Sequence, residues 1–244
     1  MTIQKYDTDI LIITTAPRHH ELGPSEKSFI DALKVFGFKY RILSAVAGLM
    51  QPVPESIVVL AGSPYSVLDE PDWLLSYEEF VRDMIRDGKT ILGICFGFQL
   101  LVKITGGKVS RMKQPQIGKR PVRLTSHGME HSLLDGLPSE VLFPVNHGDH
   151  VEEIGEGTTT LAETEFSPHY AVKINIPGAR EILAVQFHPE MRAERLRELI
   201  LSQRDSLEGW EEALATVDTV NGTDFGTKMI ENWGRAVSSS IKNI

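Results

Sequence analysis

The chain has 244 residues, 41% of them hydrophobic and 24% charged, with a formal net charge of −8 at pH 7. That length suits one large α/β domain or two small ones, and the apolar content supports a sizeable core. Lys and Arg are scattered rather than clustered, which argues against a nucleic-acid surface; no apolar run reaches the ~18 residues of a membrane span; and a lone cysteine, Cys95, excludes an internal disulfide. The first seven residues carry no basic segment leading into a long apolar stretch, so a cytoplasmic location is expected.

Residues 9–14 form a short apolar run that reads as a buried strand. Residues 25–36 place Phe29, Ile30, Leu33 and Phe36 at helical spacing, with Pro24-Ser25 as a start signal and Gly37 as a stop. Residues 39–43 and 57–60 read as two more strands, the latter running into Ala61-Gly62-Ser63-Pro64. A helix is expected over 77–86, with Phe80, Val81, Met84 and Ile85 on one face and Gly88 closing it. Residues 90–94 make a fourth strand, which delivers Cys95. Strand and helix alternating in this way predict a parallel sheet covered by helices on both faces. Chemistry in such sheets gathers beyond the carboxyl ends of the strands, where Cys95 and Gly62-Ser63 meet.

The second half changes character. Residues 121–125, 141–145, 159–162, 170–176 and 182–187 are strand-like and separated by turn-rich segments. Some of them are expected to form a small antiparallel extension, with the last returning to the main sheet. A short helix is expected over 129–137. The tail, 192–244, is helical: Leu196, Leu199, Ile200 and Leu207 share one face, and Phe225, Met229, Ile230, Trp233 and Val237 another. Residues 221–224, Asn221-Gly222-Thr223-Asp224, separate the two and are placed to cap the last helix. These faces predict packing within the chain, with a partner interface as the alternative. The expectation is a single α/β domain over 1–244: a mostly parallel, flavodoxin-like central sheet flanked by helices, with the antiparallel extension.

Cys95 sits in Gly93-Ile94-Cys95-Phe96-Gly97, between an apolar strand and the apolar helix that starts at the turn. This is the thiol form of a nucleophile elbow. The glycines remove Cβ atoms where strand and helix approach closely. The helix start turns free N–H groups and a positive dipole end toward the sulfur. A cysteine nucleophile also needs a base and a group to orient that base. Gln186-Phe187-His188-Pro189-Glu190 supplies both, because residues two apart in an extended chain point to the same side and Pro189 disfavours helix at His188. Glu190 would take one imidazole nitrogen and leave the other facing Cys95.

With these pieces, the chain resembles the class I glutamine amidotransferases, whose triad runs Cys, His, Glu in chain order. The motifs that carry the resemblance are Ala61-Gly62-Ser63-Pro64-Tyr65-Ser66-Val67, Gly93 to Gln99, Asn146-His147-Gly148-Asp149 and Gln186 to Glu190. Within the family they are most similar to the glutaminase part of GMP synthase and its stand-alone relatives. The resemblance implies attack of Cys95 on the side-chain amide of glutamine, loss of ammonia and hydrolysis of a γ-glutamyl thioester. It places backbone N–H groups of Gly62, Ser63 and Phe96 at the oxyanion, and Gln99, Asn146 and His147 at the substrate. Two positions depart from the family pattern: Ser63, where a second glycine is frequent, and Asn146, where serine is frequent.

No phosphate-cradling glycine loop is present, so no cofactor is expected, and an ATP-dependent partner synthetase would have to accept the ammonia. His127 and His131 lie four apart, but no carboxylate or cysteine accompanies them, and a metal site is not expected. His19-His20 read as solvated. Two readings compete with ammonia transfer: a stand-alone hydrolase of γ-glutamyl peptides or amides, and a catalytically silent regulatory module, which the intact Cys95, His188 and Glu190 disfavour.

Overall fold

The computed structural model describes residues 9–16, 23–48, 51–219 and 224–241; His19 and His20 and most of 221–224 lie outside them. The first half runs β1 (Ile10–Thr14), α1 (Pro24–Leu33), β2 (Tyr40–Ser44), β3 (Ile57–Leu60), α2 (Asp72–Arg86), β4 (Thr90–Ile94) and α3 (Phe96–Ile104). The second half begins with β5 (Lys108–Leu124), α4 (Ser126–Glu130) and β6 (Glu140–Glu153). It continues with β7 (Thr158–Glu163), β8 (Ala171–Ile174), β9 (Ile182–Val185), α5 (Ala193–Gln203), α6 (Trp210–Val217) and α7 (Phe225–Ile241).

The described strands form one sheet in the order β2-β1-β3-β4-β9-β8-β7-β5-β6. The first five are parallel. The remaining pairings are antiparallel. β1, β3, β4 and β9 are buried throughout. That is why they read as unbroken apolar runs: helices cover both faces of a parallel sheet, so no position faces water. α1 and α7 cover one face, joined by Phe29 against Trp233 at a ring separation of 5.7 Å. α2 and α3 cover the other. The strand over 182–187 does return to the main sheet, and its pairing with β4 sets residues 182–185 beside 91–94.

Several boundaries differ from expectation. The strand expected over 121–125 extends back to Lys108 and the one over 141–145 forward to Glu153. Together they make a long two-stranded ribbon with register shifts near Lys108 and Arg111. Its polar sequence hid it, because one face of an outlying ribbon is wet. The helix expected from 77 begins at Asp72, with the extended Pro71 before it, and buries Leu74 and Tyr77. The single helix expected over 129–137 is two pieces, α4 and a short 3-10 turn (Ser132–Leu134), broken by extended backbone at His131. There, His131 Nδ1 accepts the Leu133 N–H at 3.2 Å instead.

α6 lies within the tail expected to be helical, on neither of the two apolar faces predicted there. It packs with α5 on the ribbon through Leu196, Ile200, Ala213, Val217 and Ile117. Asp224 caps α7, accepting the Thr227 N–H at 2.9 Å. The apolar faces of α5 and α7 are thus covered within the chain.

α3 lies directly on β3. A Cβ added to Gly97 would stand 2.3 Å from the Leu60 carbonyl oxygen, so this contact exists only because the residue is glycine. Gly97→Ala is therefore expected to lower stability by about 1–3 kcal/mol through overpacking. A urea titration checks this, and an unshifted midpoint would contradict so close an approach.

Candidate active site

Cys95 is the junction of β4 and α3. Its φ of 52° and ψ of −100° lie in a region that L side chains rarely adopt. The strain is held by pairing on the strand side, where Cys95 N–H donates to Val185 O at 2.8 Å, and on the helix side, where Gln99 N–H donates to Cys95 O at 3.1 Å. The side chain is buried, 4% exposed.

His188 arrives from the end of β9, the strand next to β4. Its N–H donates to Pro144 O of β6 at 2.9 Å, which pins it to the ribbon. Its Nδ1 lies 2.7 Å from Glu190 Oε1. A Cβ on Gly62 would stand 2.8 Å from His188 Cε1 and 3.6 Å from Cys95 Cβ, so both side chains press against the same glycine. Burial alone would push the His188 imidazole down. The Glu190 carboxylate and the charge on Cys95 outweigh it and hold the imidazolium well above the ordinary histidine value.

Ser63, the departure from a second glycine, is tied in place. Its Oγ accepts from Thr15 Oγ1 at 2.8 Å and from Tyr65 N–H at 3.0 Å. Gln99 is buried, and its amide donates to Asp149 O at 3.0 Å and to Gln186 Oε1 at 3.1 Å. Both amide hydrogens of Gln99 are thus spent on protein, and what reaches Cys95 is Gln186, whose Nε2 lies 3.7 Å from the sulfur. Asn146 presents its carbonyl oxygen 3.8 Å from the sulfur. His147 turns inward: Nδ1 is 2.9 Å from Asp149 O and Nε2 2.7 Å from Tyr170 Oη. Burial lowers the His147 pKa to about 4.

Sequence reasoning assigned no role to Gln186, Tyr170, Asp149 or Glu26. Asp149 clamps the roof, ion-paired to Arg111 Nε at 3.0 Å and hydrogen-bonded by Ser66 Oγ. Its adjacency to His147 in the Asn146–Asp149 motif was the available signal. Glu26 had none: it lies on the first turn of α1 and comes near His188 and Glu190 only through the fold. Burial and the nearby Glu190 raise its pKa, against backbone N–H groups and His188, which lower it.

Beside His188 and Glu190 opens a cavity of about 310 Å³, which Gly62 and Asn146 also border. Among the described residues no group of three or more His, Cys, Asp or Glu side chains is arranged to hold a metal ion. No described helix is long and apolar enough to cross a membrane.

The class I glutamine amidotransferase family model matches residues 27–204. A relative named glutamine-hydrolysing GMP synthase from Aeropyrum pernix is 30% identical over 184 residues, covering 75% of this chain and 32% of the relative. One of the same name from Staphylococcus carnosus is 36% identical over 135 residues, covering 55% and 24%. The chain thus spans about a quarter to a third of the length of these relatives. Among solved structures, a glutamine amidotransferase from Thermotoga maritima superposes with a TM-score of 0.73 at 22% identity, covering 96% of this chain and 99% of that one. Another from Methylobacillus flagellatus gives 0.71 at 21%, covering 96% and 94%. At these identities the two structures speak to the fold alone.

His147 gives the stability a pH dependence of known sign. The unfolded chain protonates this histidine near 6.5, the folded chain only near 4. Its contribution is therefore whole above 6.5 and is lost as pH falls toward 4, by up to about 3 kcal/mol. His188, raised in the fold, acts in the opposite sense and only above 6.5, so the two windows do not overlap. Urea midpoints between pH 6.5 and 4 are expected to fall less steeply in His147→Gln than in the parent. Equal slopes would contradict a buried neutral His147.

Proposed function

The chain belongs to the class I glutamine amidotransferase family, and on that footing we propose that it hydrolyses the side-chain amide of glutamine through a γ-glutamyl thioester on Cys95. The observation that carries the proposal is one geometry: Cys95 held at positive φ on the elbow, beside His188 against the same Gly62, with His188 itself fixed by Glu190 at 2.7 Å. Nucleophile, proton carrier and orienting carboxylate stand in sequence, as nucleophilic acyl transfer requires.

In this mechanism Cys95 Sγ attacks the γ-carbonyl carbon. The oxyanion is met by backbone N–H groups of Phe96, at the start of α3, and of Gly62-Ser63, where fixed donors act without reorganisation. The C–N bond breaks as the His188 imidazolium protonates the leaving nitrogen, and ammonia departs. Water then attacks the thioester and gives its proton to His188, which restores the ion pair and releases glutamate. Glu190 holds the imidazole in the tautomer and orientation both steps need. Gln99 acts through Gln186 and Asp149 to shape the pocket, and the backbone of Asn146 and His147 faces the amino-acid end of the substrate. The ammonia passes to a synthetase partner; this part of the proposal rests on the relatives named glutamine-hydrolysing GMP synthases.

Glutamate release from glutamine tests the roles. Cys95→Ala is expected to lower it by more than about 10³-fold with the fold intact by circular dichroism. Glu190→Gln, which retains the shape and loses the charge, is expected to lower kcat by about 10²–10⁴-fold. Gly62→Ala is expected to lower kcat by displacing His188. Parent-like turnover in Cys95→Ala would end the proposal.

A further inference from the structure

An oxyanion forms at one point, but its donors come from two places in this chain. In the mechanism above they are the N–H of Phe96, at the start of α3, and those of Gly62-Ser63, in the loop after β3. Such donors act only at hydrogen-bond distance from the atom that takes the charge. A displacement of about 1 Å costs about 10²-fold in rate. Whatever sets the loop against α3 therefore sets the stabilisation of the transition state.

The start of α3 is held by β4 and β3, through the Cys95 N–H on Val185 O and the close approach of Gly97 to Leu60. The loop has no such frame, because residues 61–71 contain neither helix nor strand. Its near end is tied to β1 and the residue after it: the Ala61 N–H donates to Ile13 O at 2.9 Å, and Ser63 Oγ accepts from Thr15 Oγ1 at 2.8 Å. Its far end is tied at Ser66. There Oγ donates to Asp149 Oδ2 and accepts from the Leu68 N–H at 3.0 Å and from Arg111 Nη2 at 3.2 Å. Arg111 is itself held by Asp149, with Nε 3.0 Å from Oδ1, and by Asp69 Oδ1 at 2.8 Å.

Asp149 is buried, 5% exposed. A buried ion pair adds little net stability over an apolar pair of the same shape. What it adds is a fixed place, because charge-assisted hydrogen bonds are short and directional. The other half of Asp149 faces the nucleophile helix. Its carbonyl oxygen accepts from Gln99 Nε2 at 3.0 Å and lies 2.9 Å from His147 Nδ1. Gln99 follows Phe96 by three residues on α3. One residue thus grips the loop with its carboxylate and α3 with its carbonyl oxygen.

We infer that Asp149 is a positioning residue for the oxyanion: it spans from Ser66 to Gln99 and sets the separation between the loop donors and the Phe96 N–H. This rests on the thioester mechanism proposed above. The Ser66 end of the span is separable from the rest. Removing the Ser66 hydroxyl frees the loop and leaves the bonds of Asp149 to Gln99, His147 and Arg111 in place. The substrate-facing backbone of Asn146-His147 and the pairing of Cys95 with His188 then stay as they are.

The test follows glutamate release from glutamine by the full chain, with Cys95→Ala as the blank, beside alkylation of Cys95 by iodoacetamide. Alkylation uses the same thiolate, but it displaces iodide at a saturated carbon and forms no oxyanion. In Ser66→Ala, kcat is expected to fall about 10- to 100-fold, the effect of one charge-assisted hydrogen bond, with KM and the alkylation rate at their parent values. Ser66→Thr, which keeps the hydroxyl, is expected to restore kcat. Asp149→Asn, which keeps the shape and loses the charge, is expected to lower kcat in the same pattern. Parent kcat in both Ser66→Ala and Asp149→Asn overturns this inference and leaves the proposed function standing. A fall in alkylation equal to the fall in kcat also overturns it, because the thiolate and not the oxyanion is then disturbed. A loss carried by KM alone overturns it too, since the tie then serves substrate binding. No release by the parent above the blank overturns the thioester chemistry, and this inference with it.

Discussion

A buried imidazole loses its proton unless negative charge stands against it, and the site is organised around preventing that loss at His188. Two groups prevent it, Glu190 on one ring nitrogen and Cys95 on the other side. Neither is near His188 by accident of a loop. Cys95 and His188 leave the ends of adjacent strands, β4 and β9, and Glu190 follows His188 across a single proline that keeps the chain extended. Gly62 lets the ring approach, since any side chain there would occupy the same space. Remove one of these conditions and the proton on His188 is lost, and with it both transfers of the proposed mechanism.

The long ribbon of β5 and β6 completes the enclosure. Pro144 holds the His188 backbone, Asn146 borders the sulfur, and Asp149 ties the ribbon to the loop after β3 through Ser66 and to β5 through Arg111. The chain from Asp149 through Gln99 to Gln186 is entirely side-chain and carbonyl hydrogen bonding, all of it buried. Such a network is stable only when its members are satisfied together, so it fixes the pocket wall rather than leaving it to side-chain packing.

The five-stranded parallel core was legible because burial on both faces leaves an unmistakable apolar signature, seen in Ile57–Leu60 and Thr90–Ile94. Cys95 was legible because a strained turn between strand and helix demands small neighbours, and Gly93 and Gly97 meet that demand. What stayed hidden has physical reasons too. The ribbon alternates between wet and dry sides and carries Pro115, Gly118 and Pro121, so its strands look like loops. α6 is eight residues long and owes its stability to α5 and β5, not to its own pattern. Glu26 is close to Glu190 only because the first helix and the last strand of the parallel core are brought together, and no local signal encodes that.

The most direct test is the protonation of His188 itself, followed by ¹⁵N-resolved NMR of the imidazole across a pH titration. The account predicts an imidazolium that persists through neutral pH and titrates well above the ordinary histidine value, and that moves down in both Glu190→Gln and Cys95→Ala. A His188 that titrates at or below 6.5 in the parent chain would mean that burial, not the flanking negative charges, sets its proton, and the catalytic arrangement described here would be contradicted.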